Sequence, residues 1–268
     1  MTAQSYETDP QFEATVRARL ESIESRLVDA ARADTDFVTE AASHIIRAGG
    51  KRFRPLLVVL ASQLLEGADP DRIDRAAIVM ELTHVASLYH DDVMDEALVR
   101  RAAPSANARW DNTVAILVGD YLFSKASSTV ATLGPEYVLV QAETFARLVQ
   151  GQIAETRGAR PGSDALRHYL DVVADKTGSL IAASARFGGM VCGATPEQLD
   201  ALGRYGEEIG VVFQLSDDII DIASDQSGKR PGTDLREGVL TLPTLLVSAS
   251  TEPGDARLRD LISRPLHE

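Results

Sequence analysis

Two groups of aspartates with identical spacing lie on either side of the middle of this 268-residue chain. Each group has the pattern Asp-Asp-x-x-Asp, and the members are Asp91, Asp92 and Asp95 in the first and Asp217, Asp218 and Asp221 in the second. On an α-helix, residues four apart lie on one face, so the outer aspartates of each group form a carboxylate pair. Such a pair needs a cation, and Mg²⁺ suits it because Mg²⁺ takes one or two carboxylates together with phosphate oxygens and water. The spacing therefore predicts Mg²⁺ and a phosphorylated substrate.

Solvated surface charge is the alternative interpretation of either group alone, because short motifs match often by chance. Both groups, however, end an apolar helical stretch. Each also has a polar residue on its own face, His84 two turns before Asp91 and Gln214 one turn before Asp217. A lone His84 is more often a satisfied core histidine, but beside these neighbours it is a candidate site residue.

Two basic segments accompany the aspartates. One is the loop Gly-Gly-Lys-Arg-Phe-Arg-Pro at 49–55, and the other is the pair Arg100-Arg101. Arg binds two oxygens at once with its planar fork, and Lys supplies a movable point charge. Solvated loop charge is again the alternative, but two basic sites beside two acidic groups favour a pair of diphosphate ligands.

The elements that position these residues are predicted to be helices. Apolar periodicity and Gly or Pro punctuation predict helices near 11–32, from Phe37 to Ile45, from Pro55 to Leu65, from Pro70 to the first aspartates, and at 112–132, 135–157, 164–192 and 196–224. No segment alternates as a strand does, and no linker divides the chain. We therefore expect an all-α fold in which residues 1–268 form one domain.

Composition limits the function. The formal net charge of −13 disfavours a nucleic-acid binder, whose affinity depends on a basic surface. No run reaches the roughly 18 consecutive apolar residues of a membrane-spanning helix. The N-terminal residues 1–10 lack the basic start and apolar run of a secretory signal, which predicts a cytoplasmic protein.

From about residue 40 to residue 247 the chain resembles the trans-polyprenyl diphosphate synthases, the chain elongators of isoprenoid synthesis. Five motifs occur in the family's order: GGKRFRP at 49–55, HDDVMDEALVRR at 90–101, GDYL at 119–122, KTGSL at 176–180 and FQLSDDIIDIASDQSGKRPGTDL at 213–235. The resemblance implies a single bundle of long helices around a central cavity and a homodimer. It also implies Mg²⁺-dependent, head-to-tail condensation of an allylic prenyl diphosphate with isopentenyl diphosphate. The hydrophobic polyprenyl chain of such a product gives a reason for peripheral contact with membranes.

The resemblance also implies roles for matching positions. The residues implied to bind isopentenyl diphosphate are Lys51, Arg54, His84 and Arg101. Those implied to hold the allylic diphosphate are Arg100, Lys176, Thr177, Gln214 and Lys229. The implied Mg²⁺ ligands are Asp91, Asp95 and Asp217, supported through water or indirect contacts by Asp92, Asp218 and Asp221. Together with Lys176, the six aspartates form the predicted catalytic set.

Small residues before the first aspartate group bear on product length. Ala86 and Ser87 lie about one turn before Asp91, where in the family a bulky aromatic stops growth at farnesyl length. Their size predicts a hexaprenyl to decaprenyl product, with Thr83 and Met80 as deeper floors of the tunnel.

Two departures from the family pattern accompany the match. Val239 follows Gly238 where relatives often carry lysine, so Arg236 is the candidate replacement. The chain ends at Glu268, where full-length relatives usually continue, so we expect a domain without their last helices. Four other functions stay open: a short-chain farnesyl or geranylgeranyl synthase, a terpene cyclase, a metal phosphohydrolase and a non-catalytic partner subunit of a heteromeric synthase.

Overall fold

The computed structural model describes residues 9–223, 232–236 and 238–262. Within them the regular elements are helices apart from one hairpin of two two-residue strands, which confirms the all-α prediction. The elements before Gly134 are α1 (Pro10–Ala30), α2 (Asp36–Arg47), α3 (Phe53–Ala61), a 3₁₀ turn (Ser62–Leu64), α4 (Pro70–Met94), β1 (Val99–Arg100), β2 (Ala103–Pro104), α5 (Ala106–Arg109) and α6 (Asn112–Ala131).

The remaining elements include one departure within a predicted helix and, among the described residues after Ala223, three short helices that have no predicted counterpart. They are α7 (Pro135–Arg157), α8 (Ala165–Val173), a π-helical turn (Ala174–Gly178), α9 (Ser179–Val191), α10 (Pro196–Ala223), α11 (Thr233–Arg236), α12 (Leu242–Ala249), a 3₁₀ turn (Pro253–Asp255) and α13 (Ala256–Ile262). The helix predicted over 164–192 is thus divided by a π-helical turn, a wider turn that is frequent at functional sites. Apolar periodicity does not reveal this widening because the helical face continues on both sides of it.

The chain forms two compact units. The first comprises residues Met1–Glu143 and Ala183–Gly203, and the second comprises Thr144–Ala182 and Arg204–Glu268. The single-domain organisation and the central cavity stay predictions. Among the described residues, no helix combines the length and apolar character needed to cross a membrane.

Helix α4 is the core of the first unit and carries the first aspartate group at its end. Asp69 begins it by accepting a hydrogen bond from the Asp71 amide at 3.0 Å, and Pro70 suits the first helical position. α4 packs against α1, α3 and α6. At Gly119 of α6 a Cβ atom would lie 2.3 Å from the His90 ring and 3.2 Å from the Ala86 carbonyl. The glycine of the GDYL motif therefore permits the close approach of α6 to α4.

In the second unit, helix α10 carries the second aspartate group past the π-helical turn. At Gly210 a Cβ atom would lie 2.7 Å from the Gly178 Cα, and at Gly206 it would lie 2.6 Å from the Ala182 Cα. Real Cβ atoms do not approach this closely, so glycine at both positions allows backbone to pack directly on backbone. This contact sets the distance between the turn and α10.

Candidate active site

The first aspartate group divides into outer and inner carboxylates. Asp91 is half-buried and Asp95 is exposed, whereas Asp92 is fully buried. α4 ends at Met94, but the Asp95 amide still donates to the Asp91 carbonyl at 2.8 Å. This bond keeps the last turn helical, so the two outer aspartates stay on one face as predicted.

Asp92 pairs with Arg100, which lies in the hairpin that follows. Arg100 donates to one Asp92 carboxylate oxygen, Oδ1, from Nε at 2.7 Å and from Nη2 at 2.6 Å. The Asp92 backbone carbonyl also accepts from the Ala97 amide at 2.9 Å. Burial raises the pKa of Asp92, and the charge of Arg100 opposes that rise. Asp92 therefore bears on the site by holding Arg100 in place.

Arg101 is held by the C-terminal end of α2. Its backbone is left-handed, with φ of 52°. Nη1 donates to the carbonyl of Ile45 at 3.1 Å and also to that of Gly49. At Gly50 a Cβ atom would lie 2.8 Å from the Arg101 guanidinium carbon. Gly50 thus allows the guanidinium to pack against the loop as well as ending the turn.

Among the residues implied to bind isopentenyl diphosphate, Arg54 and Arg101 form a cationic cluster around α4. Burial lowers the pKa of Arg54 to about 10, with Glu81 raising it and Arg101 lowering it further. The buried Arg54 Nε makes no hydrogen bond within the described part of the chain. Burial and then Arg54 and Arg101 lower the pKa of His84 well below its usual value, so His84 is neutral at pH 7. Lys51 is exposed at the edge.

Sequence reasoning missed two residues at this cluster, Glu81 and Arg52. Glu81 is 2% exposed, and its Oε1 accepts from Arg52 Nη1 at 2.9 Å. Arg52 Nε and Nη2 also donate to the two carboxylate oxygens of Glu24, at 2.5 and 2.7 Å, and Nη2 donates to the Ile46 carbonyl at 2.7 Å. One signal was available in the sequence: Glu81 is an acidic residue inside an otherwise apolar helical run, one turn before His84.

The second aspartate group repeats the division seen in the first. Asp218 is 2% exposed, while Asp217 and Asp221 are half-buried. Asp218 accepts hydrogen bonds from the Tyr169 hydroxyl and, at 3.0 Å, from Gln214 Nε2. The Thr177 hydroxyl in turn donates to Gln214 Oε1 at 3.3 Å. The predicted residue Thr177 is therefore joined to this group through Gln214, which was also predicted. Tyr169, which the sequence did not single out, bonds the same carboxylate independently.

The π-helical turn presents Lys176. The Lys176 ammonium lies 2.5 Å from a carboxylate oxygen of Glu155 on α7. At Gly151 a Cβ atom would lie 2.7 Å from the Lys176 amide nitrogen, so this glycine allows α7 to approach the turn. The ammonium group has three N–H donors, so the bond to Glu155 does not by itself prevent Lys176 from contacting a diphosphate.

A second ion pair fixes the same turn. Arg147 Nη2 lies 2.8 Å from a carboxylate oxygen of Asp175, the residue before Lys176, and 2.6 Å from one of Glu207 on α10. This arrangement ties the turn to two helices at once. Lys229 lies outside the described residues.

The candidate chain-length residues are all buried on α4. Thr83 is 1% exposed, Ala86 0% and Ser87 8%. The Thr83 hydroxyl accepts from Gln141 Nε2 at 3.2 Å, and the Ser87 hydroxyl donates to the His84 carbonyl at 2.8 Å. Neither hydroxyl is left without a partner, so both are compatible with an apolar neighbour.

The donor set fits Mg²⁺. The residues that the structure describes contain no group of three or more His, Cys, Asp or Glu side chains arranged to hold a metal by themselves. A pair of outer carboxylates at the end of a helix suits Mg²⁺, which keeps waters and takes substrate phosphate oxygens instead of requiring a closed protein cage.

Comparison with known proteins decides the family. The model of the family described as polyprenyl synthetase matches residues 35–268. The chain belongs to the polyprenyl synthetase family. A nonaprenyl diphosphate synthase of Mycobacterium tuberculosis is 51% identical over 262 residues, which are 97% of this chain and 78% of that protein. A dimethylallyltranstransferase of the same organism is 43% identical over 263 residues, which are 97% of this chain and 80% of that protein.

A solved structure of the family matches the fold. The geranylgeranyl pyrophosphate synthase of Corynebacterium glutamicum, determined with calcium and isoprenyl diphosphate, superposes with a TM-score of 0.84 at 46% identity. The match covers 97% of this chain and 80% of that one. This polyprenyl synthetase therefore has the isoprenyl synthase fold, and relatives of similar identity carry names for products of different length.

Proposed function

We propose that this protein is a trans-prenyltransferase that condenses an allylic prenyl diphosphate with isopentenyl diphosphate, head to tail, to make a medium- or long-chain all-trans polyprenyl diphosphate. One observation carries the proposal. In both aspartate groups the middle carboxylate is buried and hydrogen-bonded, to Arg100 in one and to Gln214 in the other, while the outer carboxylates stay nearer the surface. This arrangement supports the proposal because Mg²⁺ takes one or two carboxylates together with phosphate oxygens and water.

Isopentenyl diphosphate is proposed to bind Lys51, Arg54, His84 and Arg101. A partly desolvated cationic cluster attracts a diphosphate strongly because the effective dielectric constant is low there. The Arg54 Nε, which makes no hydrogen bond to any other described residue, is a donor that a phosphate oxygen would satisfy. Neutral His84 adds a hydrogen bond without further charge repulsion.

The allylic diphosphate is proposed to bind Arg100, Lys176, Thr177, Gln214 and Lys229. Asp91, Asp95 and Asp217 would hold Mg²⁺, which when bound neutralises charge developing on the leaving diphosphate. Arg100 Nη1 and the Lys176 ammonium stabilise the same charge from the protein side. Asp92, Asp218 and Asp221 support these groups.

The reaction follows from that charge distribution. The bond between the allylic carbon and oxygen breaks, and its electron pair leaves with the diphosphate. The double bond of isopentenyl diphosphate, held close by its own site, then attacks the allylic cation. The new cation loses a proton to the released diphosphate, which regenerates an allylic product ready for another cycle.

The product is proposed to be longer than geranylgeranyl. Ala86 and Ser87 are small and lie about one turn before Asp91, on the path that a growing hydrocarbon would take. The name of the nonaprenyl relative agrees with this length. A short-chain product is the second candidate, favoured by the similarity to a geranylgeranyl pyrophosphate synthase.

A homodimer in the cytoplasm is proposed as the working form. The first unit exposes large apolar side chains on α6 and on the start of α7, namely Ile116, Leu117, Val138 and Leu139. Exposed apolar side chains of this size are typical of protein interfaces. The diphosphate substrates are water-soluble, which favours the cytoplasm, with peripheral membrane contact when the product leaves.

Steady-state kinetics on single variants test the proposal. Arg54→Gln should raise KM for isopentenyl diphosphate at least tenfold with little change in KM for the allylic substrate. Lys176→Gln should show the reverse pattern. Asp91→Asn should lower kcat at least a hundredfold. Turnover by the purified chain alone excludes a non-catalytic subunit, whereas variants that affect both substrates equally would contradict the two assigned sites.

A further inference from the structure

Glu81 occupies an unusual position for an acidic side chain. It lies in the middle of α4, is 2% exposed, and is surrounded by residues of the cationic cluster proposed to bind a diphosphate. A buried carboxylate so close to an anion site would weaken binding if it served only as a charge. Its contacts point to another role.

The contacts of Glu81 are to arginines. Its Oε1 accepts from Arg52 Nη1 at 2.9 Å and lies 3.9 Å from Arg101 Nη2. Its charge also raises the pKa values of Arg54 and Arg101, against the burial that lowers them. A single carboxylate therefore interacts with three arginines from two separate segments of the chain, Arg52 and Arg54 from the basic loop and Arg101 from the hairpin.

Arg52 fixes Glu81 from the other side. The Arg52 side chain is 11% exposed and its backbone is left-handed, with φ of 46°. Its Nε and Nη2 donate to Glu24, and Nη2 also donates to the Ile46 carbonyl, so with Glu81 four of its five N–H donors are used within the protein. Arg52 is thus a structural arginine within a basic loop whose neighbours Lys51 and Arg54 are proposed to bind substrate.

We propose that Glu81 is a positioning residue of the acceptor site: fixed by Arg52, its carboxylate orients the Arg101 guanidinium and offsets the charge of the neighbouring Arg54, so that both can receive isopentenyl diphosphate. The proposal rests on the proposed function, because it presumes that Arg54 and Arg101 bind this substrate. Glu81 itself touches no substrate. It acts through the two arginines.

The test compares Glu81→Gln with Asp74→Asn in the full chain. Asp74 is a matched control: it is a second carboxylate buried on α4, 3% exposed, and it pairs with Arg19 at 3.2 Å and Arg26 at 2.8 Å away from the basic loop. Both variants remove one buried charge from arginine partners. Only Glu81→Gln should change the acceptor site.

The expected result is a rise of about tenfold in KM for isopentenyl diphosphate in Glu81→Gln, corresponding to the loss of about one hydrogen-bonded charge interaction. KM for the allylic substrate should stay within twofold. At alkaline pH, KM for isopentenyl diphosphate should rise as Arg54 loses its proton. In Glu81→Gln this rise should begin at a lower pH than in wild type, because Arg54 no longer has the neighbouring charge that raises its pKa. Asp74→Asn should leave both KM values and this pH profile unchanged.

Other outcomes overturn the inference. An unchanged KM for isopentenyl diphosphate in folded Glu81→Gln, or equal changes for both substrates, would contradict it. If Glu81→Gln does not fold, Glu81→Asp is the alternative variant, because it keeps the carboxylate charge but moves it one methylene away from the arginines. A raised KM for isopentenyl diphosphate with the wild-type pH profile on the alkaline side supports the inference, and an unchanged KM refutes it. If Arg54→Gln also leaves this KM unchanged, the acceptor-site assignment itself fails.

Discussion

The pair of Asp92 and Arg100 allows a stability prediction that can be worked from the structure. Arg100→Met removes the donors at 2.7 and 2.6 Å from a carboxylate that is 0% exposed. The other oxygen of Asp92, Oδ2, already lacks a hydrogen bond within the described residues. The variant therefore buries an unpaired charge instead of merely losing a surface ion pair.

The expected loss in free energy of unfolding is about 3 kcal/mol at pH 8, the lower end of the range of ~3–5 kcal/mol for breaking a buried pair, because the Arg100 side chain is 27% exposed. Burial already raises the pKa of Asp92, and the loss of Arg100 raises it further. Since the folded pKa then exceeds the unfolded one, the folded state takes up a proton first as pH falls. The deficit should therefore be largest at high pH and shrink on acidification by up to ~1.4 kcal/mol per pH unit.

Urea unfolding at several pH values measures this deficit, with an unchanged m-value as evidence that the denatured state is the same. Asp92→Asn combined with Arg100→Met is the control, because it removes the unpaired charge and should recover about 2 kcal/mol of the loss. A deficit below about 1 kcal/mol, or a double variant no more stable than Arg100→Met, would refute the reasoning.

Three further predictions follow from buried or paired residues. Ala86→Phe should shorten the product towards farnesyl length in thin-layer analysis, while the equally buried Ala76→Phe on the same helix should not; unchanged length would argue against the tunnel assignment. His84→Gln should make the free energy of unfolding less sensitive to acid, because folded His84 stays neutral while the unfolded histidine gains a proton below pH ~6.5. This contribution approaches ~1.4 kcal/mol per pH unit, and equal slopes of unfolding free energy against pH in the two proteins would exclude it. Arg147→Met should raise KM for the allylic substrate several-fold by releasing Asp175 and the π-helical turn, with stability changed by less than ~1 kcal/mol, and an unaltered KM would show that the turn does not need this pair.

The sequence predicts most of the helices because their boundaries carry local signals. Pro70 and Asp69 begin α4, and Gly49 and Gly50 follow the end of α2, where both take positive φ. The π-helical turn at 174–178 was not predicted, since it depends on α7 and α10 packing against it at Gly151 and Gly210. Contacts between elements distant in sequence leave no periodic pattern.

The candidate site shows the same limit at the level of single side chains. The spacing identifies all six aspartates, but it does not distinguish buried Asp92 and Asp218 from their outer neighbours, because burial depends on Arg100 and Tyr169 arriving from other segments. Glu81 is detectable only as an acidic residue within an apolar run. Its partners become evident in three dimensions.

The most direct test of the central claim is the mass of the product made by the purified chain alone. The chain is incubated with Mg²⁺, farnesyl diphosphate and an excess of isotopically labelled isopentenyl diphosphate. The products are treated with phosphatase, and the masses of the extracted prenyl alcohols are measured by mass spectrometry. We expect a ladder of products in which neighbours differ by one labelled prenyl unit. The ladder should end between hexaprenyl and decaprenyl, and a chelator should abolish it. A ladder that stops at geranylgeranyl would contradict the proposed length, and unextended primer with no ladder would contradict prenyl elongation itself.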